Sequence, residues 1–132
     1  MNDETLLLRQ ISPSWVQAGR VTSQAFRPTP KDMNLLSIFD GDRITPEKSW
    51  HYFTRDLGLK STGVMGVTNF ERVSVNVPLI EDRKPIDAHV SLDYTGLSNS
   101  QKENAGKVLT DKARTRGWLH REGSDSPPAL QS

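Results

Sequence analysis

The chain contains no cysteine, and that absence removes several chemistries at once. Disulfide frameworks, thiolate nucleophiles and cysteine-ligated zinc or iron–sulfur centres have no ligands to be built from. A cysteine-free chain also suits a reducing cytosol. Long apolar runs are missing too: Leu6-Leu7-Leu8 is the richest stretch near the N-terminus, far short of the roughly 20 residues that span a bilayer. The opening Met1-Asn2-Asp3-Glu4 is acidic where a secretory signal would be basic, which makes a cytoplasmic protein the expectation. Neither sign of charge dominates. Lys and Arg number 17 against 16 Asp and Glu, so no global field marks a nucleic-acid or membrane surface. The 132 residues suit one domain.

Histidine is scarce as well. His51, His89 and His120 are the only three, and no pair has the spacing of a helical metal motif. A site drawn from His51, His89 and Asp93 would need distant segments to meet; the reading is no metal and no cofactor. No Gly-rich phosphate loop occurs, since Gly63 and Gly66 lie in an apolar strand-like run and open no helix. No Gly-x-Ser-x-Gly elbow surrounds any serine, Ser23 included. Glu81, Asp82, Asp87 and Asp93 offer carboxylates for proton transfer, but most sit in or beside a polar loop, where solvation is the default.

What is present reads as alternating short strands and capped helices. Thr5–Ile11 has strand length, and Ser12-Pro13 starts a one- or two-turn helix that Gly19 ends. Val21–Phe26 reads as a strand with Thr22, Gln24 and Phe26 on one side, stopped by Pro28 and Pro30. Leu35–Phe39 is a further strand, and Asp40-Gly41-Asp42 its turn. Thr45-Pro46-Glu47 opens a helix with Trp50, Phe53 and Leu57 as its apolar stripe and Gly58 as its stop. Gly63–Thr68 is a buried strand whose glycines permit close approach. Residues 69–77 hold two signals, a short capped helix and a period-two alternation, and both readings stay open. Ala88–Tyr94 alternates, with His89, Ser91 and Asp93 on one face. A last helix starts at Ser98 or Ser100 and runs to about Arg116, before Gly117. The order predicts an α+β domain over residues 1–120. Its sheet is mixed and mostly antiparallel, with two main helices packed on one face, followed by a disordered tail at 121–132.

One stretch carries the functional expectation. Arg20, Arg27 and Lys31 cluster around a loop stiffened by Pro28 and Pro30, with Asp32 the only nearby acid. Rigid presentation lowers the entropy lost when those cations meet a partner. The expected function is therefore a non-enzymatic binding or accessory protein that contacts another protein or an anionic ligand through Arg20, Arg27 and Lys31. Trp50, His51 and Tyr52 join that surface. Nucleic acid is the weaker alternative, through Lys107, Lys112, Arg114 and Arg116 at the basic end of the last helix, where the helix dipole already favours cations.

Arg9 on a first strand followed by Ser23-x-x-Phe26 on a second resembles the start of ADP-ribosyltransferase-type toxins. The resemblance spans the first quarter of the chain. It implies an enzyme on a nucleotide-like substrate, using Arg9, Ser23 and one of His51, His89 or Asp93. The late catalytic glutamate of that family has no counterpart beyond Asp93. The wider pattern, LLLRQISPSW through SQAFRPTPKD to ARTRGWL, resembles small bacterial proteins that carry no assigned mechanism, and it implies a bacterial origin only.

Overall fold

The computed structural model describes residues 1–123; of the tail expected at 121–132, Arg121 instead pairs in a strand with the strand Gly63–Thr68, and residues 124–132 lie outside the described residues. Strand β1 (Leu6–Ile11) is followed by a 3-10 turn at Pro13–Trp15 and a hairpin of β2 (Val16–Gln17) and β3 (Arg20–Val21). A second 3-10 turn (Ser23–Phe26), a third (Pro30–Asp32) and β4 (Leu35–Asp40) come next. Helix α1 (Pro46–His51) runs on as a wider π turn through Tyr52–Asp56, then β5 (Gly63–Thr68), α2 (Asn69–Ser74), β6 (Leu79–Ile80) and β7 (His89–Asp93). Helix α3 (Asn99–Arg116) and β8 (His120–Arg121) complete the order.

Six strands form one sheet in the order β6-β7-β4-β1-β5-β8, and every ladder among the described residues is antiparallel. The class is α+β with a mostly antiparallel sheet, as the element order predicts. The main helices do not share a face, however. Alternate side chains of the strands fall into two clusters. Leu7, Ile11, Ile38, Val67 and Val90 pack with Ala105, Leu109 and Ala113 of α3. Leu8, Phe39, Val64 and Ala88 pack with Trp50 and Tyr52 at α1. The sheet thus carries apolar residues on both faces, and each face takes one helix. No helix among the described residues is long and apolar enough to cross a membrane.

The local signals explain the helices. Thr45 Oγ1 accepts the Lys48 amide and Pro46 fills the first helical position, which satisfies donors that a helix start leaves bare. Thr68 and Glu71 form a reciprocal capping box, and this decides residues 69–74 in favour of helix. Ser98 and Gln101 form a second such box, and Gly117 ends α3 at φ 90°. The stripe expected along α1 is only partly realised. The π turn, with the Leu57 amide on the Tyr52 carbonyl, turns Leu57 out to solvent.

The larger departure is at residues 21–26. No long strand forms: residues 23–26 wind into a 3-10 turn, closed by the Arg27 amide on the Gln24 carbonyl, with Ala25 and Phe26 fully buried. Side chains from elsewhere take their carbonyls instead. Tyr94 donates its hydroxyl to the Phe26 carbonyl at 2.6 Å, and Arg9 donates Nε to that of Ala25 at 2.7 Å. Gly106 lets α3 lie close here, because a Cβ at that position would run into the Arg27 side chain. Gly19 turns the β2–β3 hairpin together with Ala18, both at positive φ, rather than ending a helix.

Candidate functional site

The site arises from an interrupted ladder. β1 and β4 pair only at Leu7 with Asp40 and Leu8 with Phe39, yet both strands continue, β1 against β5 and β4 against β7. Past Leu8 a gap opens between them, and Arg9 fills it. Its Nη1 donates to the Ser37 carbonyl at 2.8 Å while Nε holds Ala25, so a guanidinium takes the donor role a neighbouring strand would play. The Trp15 ring lies 4.7 Å from the guanidinium carbon. Burial draws the pKa of Arg9 down to about 10, with Tyr94 and Asp32 acting the other way, and the group stays cationic at neutral pH. Its Nη2 has no hydrogen-bond partner among the described residues and is not among the sealed, unpaired atoms.

A cleft of about 700 Å³ occupies this gap. Arg9 and Trp15 form one wall, Gln24, Arg27, Pro28, Thr29 and Asp32 the rim, Leu35, Leu36 and Ser37 the floor, and His89 and Ser91 the far side. Arg27 is exposed; its stem packs on Gly106 of α3 and its charge helps hold the Glu103 carboxyl low, without a close ion pair among the described residues. Asp32 is held by the Thr29 hydroxyl at 2.7 Å rather than by Lys31.

The far side holds a chain of hydrogen bonds. Ser37 Oγ lies 2.6 Å from His89 Nε2, His89 Nδ1 lies 2.8 Å from Asp82 Oδ1, and Ser91 donates to Asp82 Oδ2 at 2.7 Å. The register explains how they meet. β6 pairs Leu79 with Leu92 and Ile80 with Ser91; continued by two residues, it sets Asp82 across from His89. Arg83 pins the loop there. It donates its amide to the His89 carbonyl at 3.0 Å and its guanidinium to Asp40, Glu81 and the Asp87 carbonyl. Burial pushes the Asp82 carboxyl up, but the hydrogen bonds from Ser91 and His89 outweigh it and hold the group below its ordinary range. Asp82 is therefore an ionised acceptor, and in neutral His89 the Nδ1 carries the proton while Nε2 faces Ser37 bare.

The residues singled out in the sequence are distributed unevenly. Arg9, Arg27 and His89 share the cleft, whereas Ser23 starts a 3-10 turn and does not line it. The strand that the toxin resemblance calls for at Ser23-x-x-Phe26 is absent. Arg20 is exposed on the β2–β3 hairpin and Lys31 on the 3-10 turn Pro30–Asp32, neither lining the cleft. Asp93 accepts the Thr95 amide at 2.9 Å, a turn contact that holds its carboxyl low. Trp50, His51 and Tyr52 sit at α1. Trp50 donates to the Ser61 carbonyl at 3.0 Å, His51 meets the Trp50 ring edge-on and lies beside His120, and Tyr52 meets the Phe39 ring edge-on. His51 and His89 are thus in separate clusters, and no group of three metal-ligating side chains occurs among the described residues.

At the basic end of α3, Arg114 is held by the Val21 carbonyl and Arg116 by Glu71 and the Gly66 carbonyl, so both serve packing. Ser37 and Ser91 had no motif to announce them. The one signal was alternation, which puts His89 and Ser91 on a single face of β7. The chain was compared with protein-family models, with curated proteins and with solved structures, and it matches none of them.

Proposed function

We propose that the protein binds a small anionic ligand, one bearing a phosphate or carboxylate group, in the cleft between β1 and β4. One observation carries the reading: two arginines, Arg9 and Arg27, line one cleft in which Asp32 is the only acid among the described residues. Arg9 keeps Nη2 uncommitted, and Arg27 has no hydrogen bond or close ion pair among the described residues, with Glu103 acting on it only through space. Charge-assisted bonds from a planar guanidinium to phosphate or carboxylate are among the strongest polar contacts. A second cavity, of about 570 Å³ beside α2 and the start of α3, is lined by no charged side chain. A reducing bacterial cytosol is the proposed setting, because the chain has no cysteine.

Calorimetric titration with pyrophosphate and adenosine diphosphate, with neutral adenosine as control, tests the reading. Binding of the anions should weaken about tenfold or more in Arg27→Ala, with an unchanged thermal midpoint. Failure of both anions to bind at millimolar concentration would refute it. A protein partner is the second reading, favoured by Arg20 and Lys31, which are exposed and have no ion pair among the described residues. It requires that Arg20→Ala and Lys31→Ala also matter, whereas a ligand inside the cleft should ignore both.

A further inference from the structure

We propose that Ser37 is an activated nucleophile, with His89 as its general base and Asp82 as the positioning residue, and that the cleft cleaves carboxylic esters whose acyl portion bears an anionic group. The inference rests on the anion-binding reading for the class of substrate alone; the relay stands on its own geometry. Ser37 is exposed at the floor of the cleft. Its hydroxyl is 2.6 Å from His89 Nε2, and the imidazole is 2.8 Å from Asp82 on its other side. Nucleophile to base and base to orienting carboxylate is the arrangement that turns a serine hydroxyl into an attacking group.

The chain of bonds is not what two facing strands produce by default. Ser37 and Ser91 are register partners, and opposed hydroxyls on a sheet commonly bond each other. Here each turns away: Ser91 donates to Asp82, and Ser37 is left to His89. Ser91 donates to one oxygen of Asp82, and in the neutral tautomer that gives its Nδ1 proton to the other, His89 presents a bare Nε2 as acceptor to the Ser37 hydroxyl. The Phe39 ring, 6.0 Å away and edge-on, and the Arg83 amide on the His89 carbonyl hold the residue in place.

In the forward step Ser37 Oγ forms a bond to the ester carbonyl carbon while its proton passes to His89 Nε2. The carbonyl electron pair moves onto oxygen, and Arg9, which lines the same cleft and holds the Ser37 carbonyl through Nη1, is the cation assigned to it. Collapse breaks the bond to the leaving alkoxide, which takes the proton from His89. Water then attacks the acyl-serine with His89 again as base, releasing the acid and restoring Ser37. No oxidant, metal or further reactant is needed.

The experiment uses the intact protein, a fluorophosphonate probe and two activated esters, neutral p-nitrophenyl acetate and anionic mono-p-nitrophenyl succinate. Mass spectrometry should place the adduct on Ser37, and Ser37→Ala and His89→Ala should each remove it. Because the chain has no cysteine, Ser37→Cys provides a single thiol; its alkylation by iodoacetamide should slow about 100-fold when His89→Ala is added. Asp82→Asn should lower kcat for the acetate ester and leave KM within about twofold, a split that loss of packing alone would not give. An unlabelled Ser37, together with a thiol whose reactivity ignores His89, would overturn the relay. Labelling of Ser37 with equal use of both esters, unaffected by Arg27→Ala, would instead overturn the substrate class while the relay stood.

Discussion

Replacing Arg9 by methionine isolates what the guanidinium does, because methionine keeps most of the volume of the stem. Two carbonyls, those of Ala25 and Ser37, lose donors at 2.7 and 2.8 Å. A hydrogen bond from a charged donor is worth about 1.5–3 kcal/mol net. The cation over Trp15 adds about 1 kcal/mol. Against this stands the cost of burying the charge, which the depressed pKa of Arg9 reports and which methionine escapes. The balance is a loss of about 2–3 kcal/mol, equivalent to roughly 10 °C in thermal midpoint for a domain of this size. Urea unfolding followed by far-UV circular dichroism measures the first, and a thermal scan the second. Arg9→Lys should recover little, since one ammonium on a flexible stem does not reproduce a fork aimed at two carbonyls. A change below about 0.5 kcal/mol for Arg9→Met, within the range of an ordinary surface substitution, would refute the idea that Arg9 substitutes for a strand. Full rescue by lysine would refute the claim that fork geometry matters.

Other outcomes follow from single contacts. Tyr94→Phe removes a fully buried hydroxyl from the Phe26 carbonyl and should cost about 1–2 kcal/mol by urea unfolding, with no change in far-UV spectrum. Burial works to raise the Glu71 carboxyl, but the Arg116 and Thr68 hydrogen bonds prevail and lower it; Asp82 and Asp93 are lowered too. Such groups bind fewer protons folded than unfolded, so their stabilisation is complete above the ordinary carboxylate range and is lost as pH falls through the folded pKa values. The thermal midpoint should hold from pH 7 to about pH 5 and decline below about pH 4, with a shallower decline in Glu71→Gln.

Much of this protein was legible before any coordinates, and the reason is distance along the chain. Thr45-Pro46, Ser98 with Gln101, and Gly117 act on backbone groups within a few residues, so their effect can be read locally. The same is true of the alternation at His89–Asp93. Residues 69–77 stayed open because a local helix signal, Asn69-Phe70-Glu71-Arg72, competed with the valine alternation; the reciprocal bonds of Thr68 and Glu71 settled it for residues 69–74.

Tertiary structure alone decided the rest. Residues 21–26 have a strand-like composition, but the carbonyls of Ala25 and Phe26 are taken by Arg9 and Tyr94, which lie 16 and 68 residues away. No local rule anticipates that competition. The cleft exists because pairing between β1 and β4 stops after two residue pairs, and register is a property of two strands, not of either one. Ser37 and His89 are 52 residues apart, and Asp82 reaches them only because the β6–β7 register carries it across from His89. Caps and turns satisfy the backbone nearby and so are written in the sequence; the constellation in the cleft is made by packing, which joins segments that the sequence keeps apart.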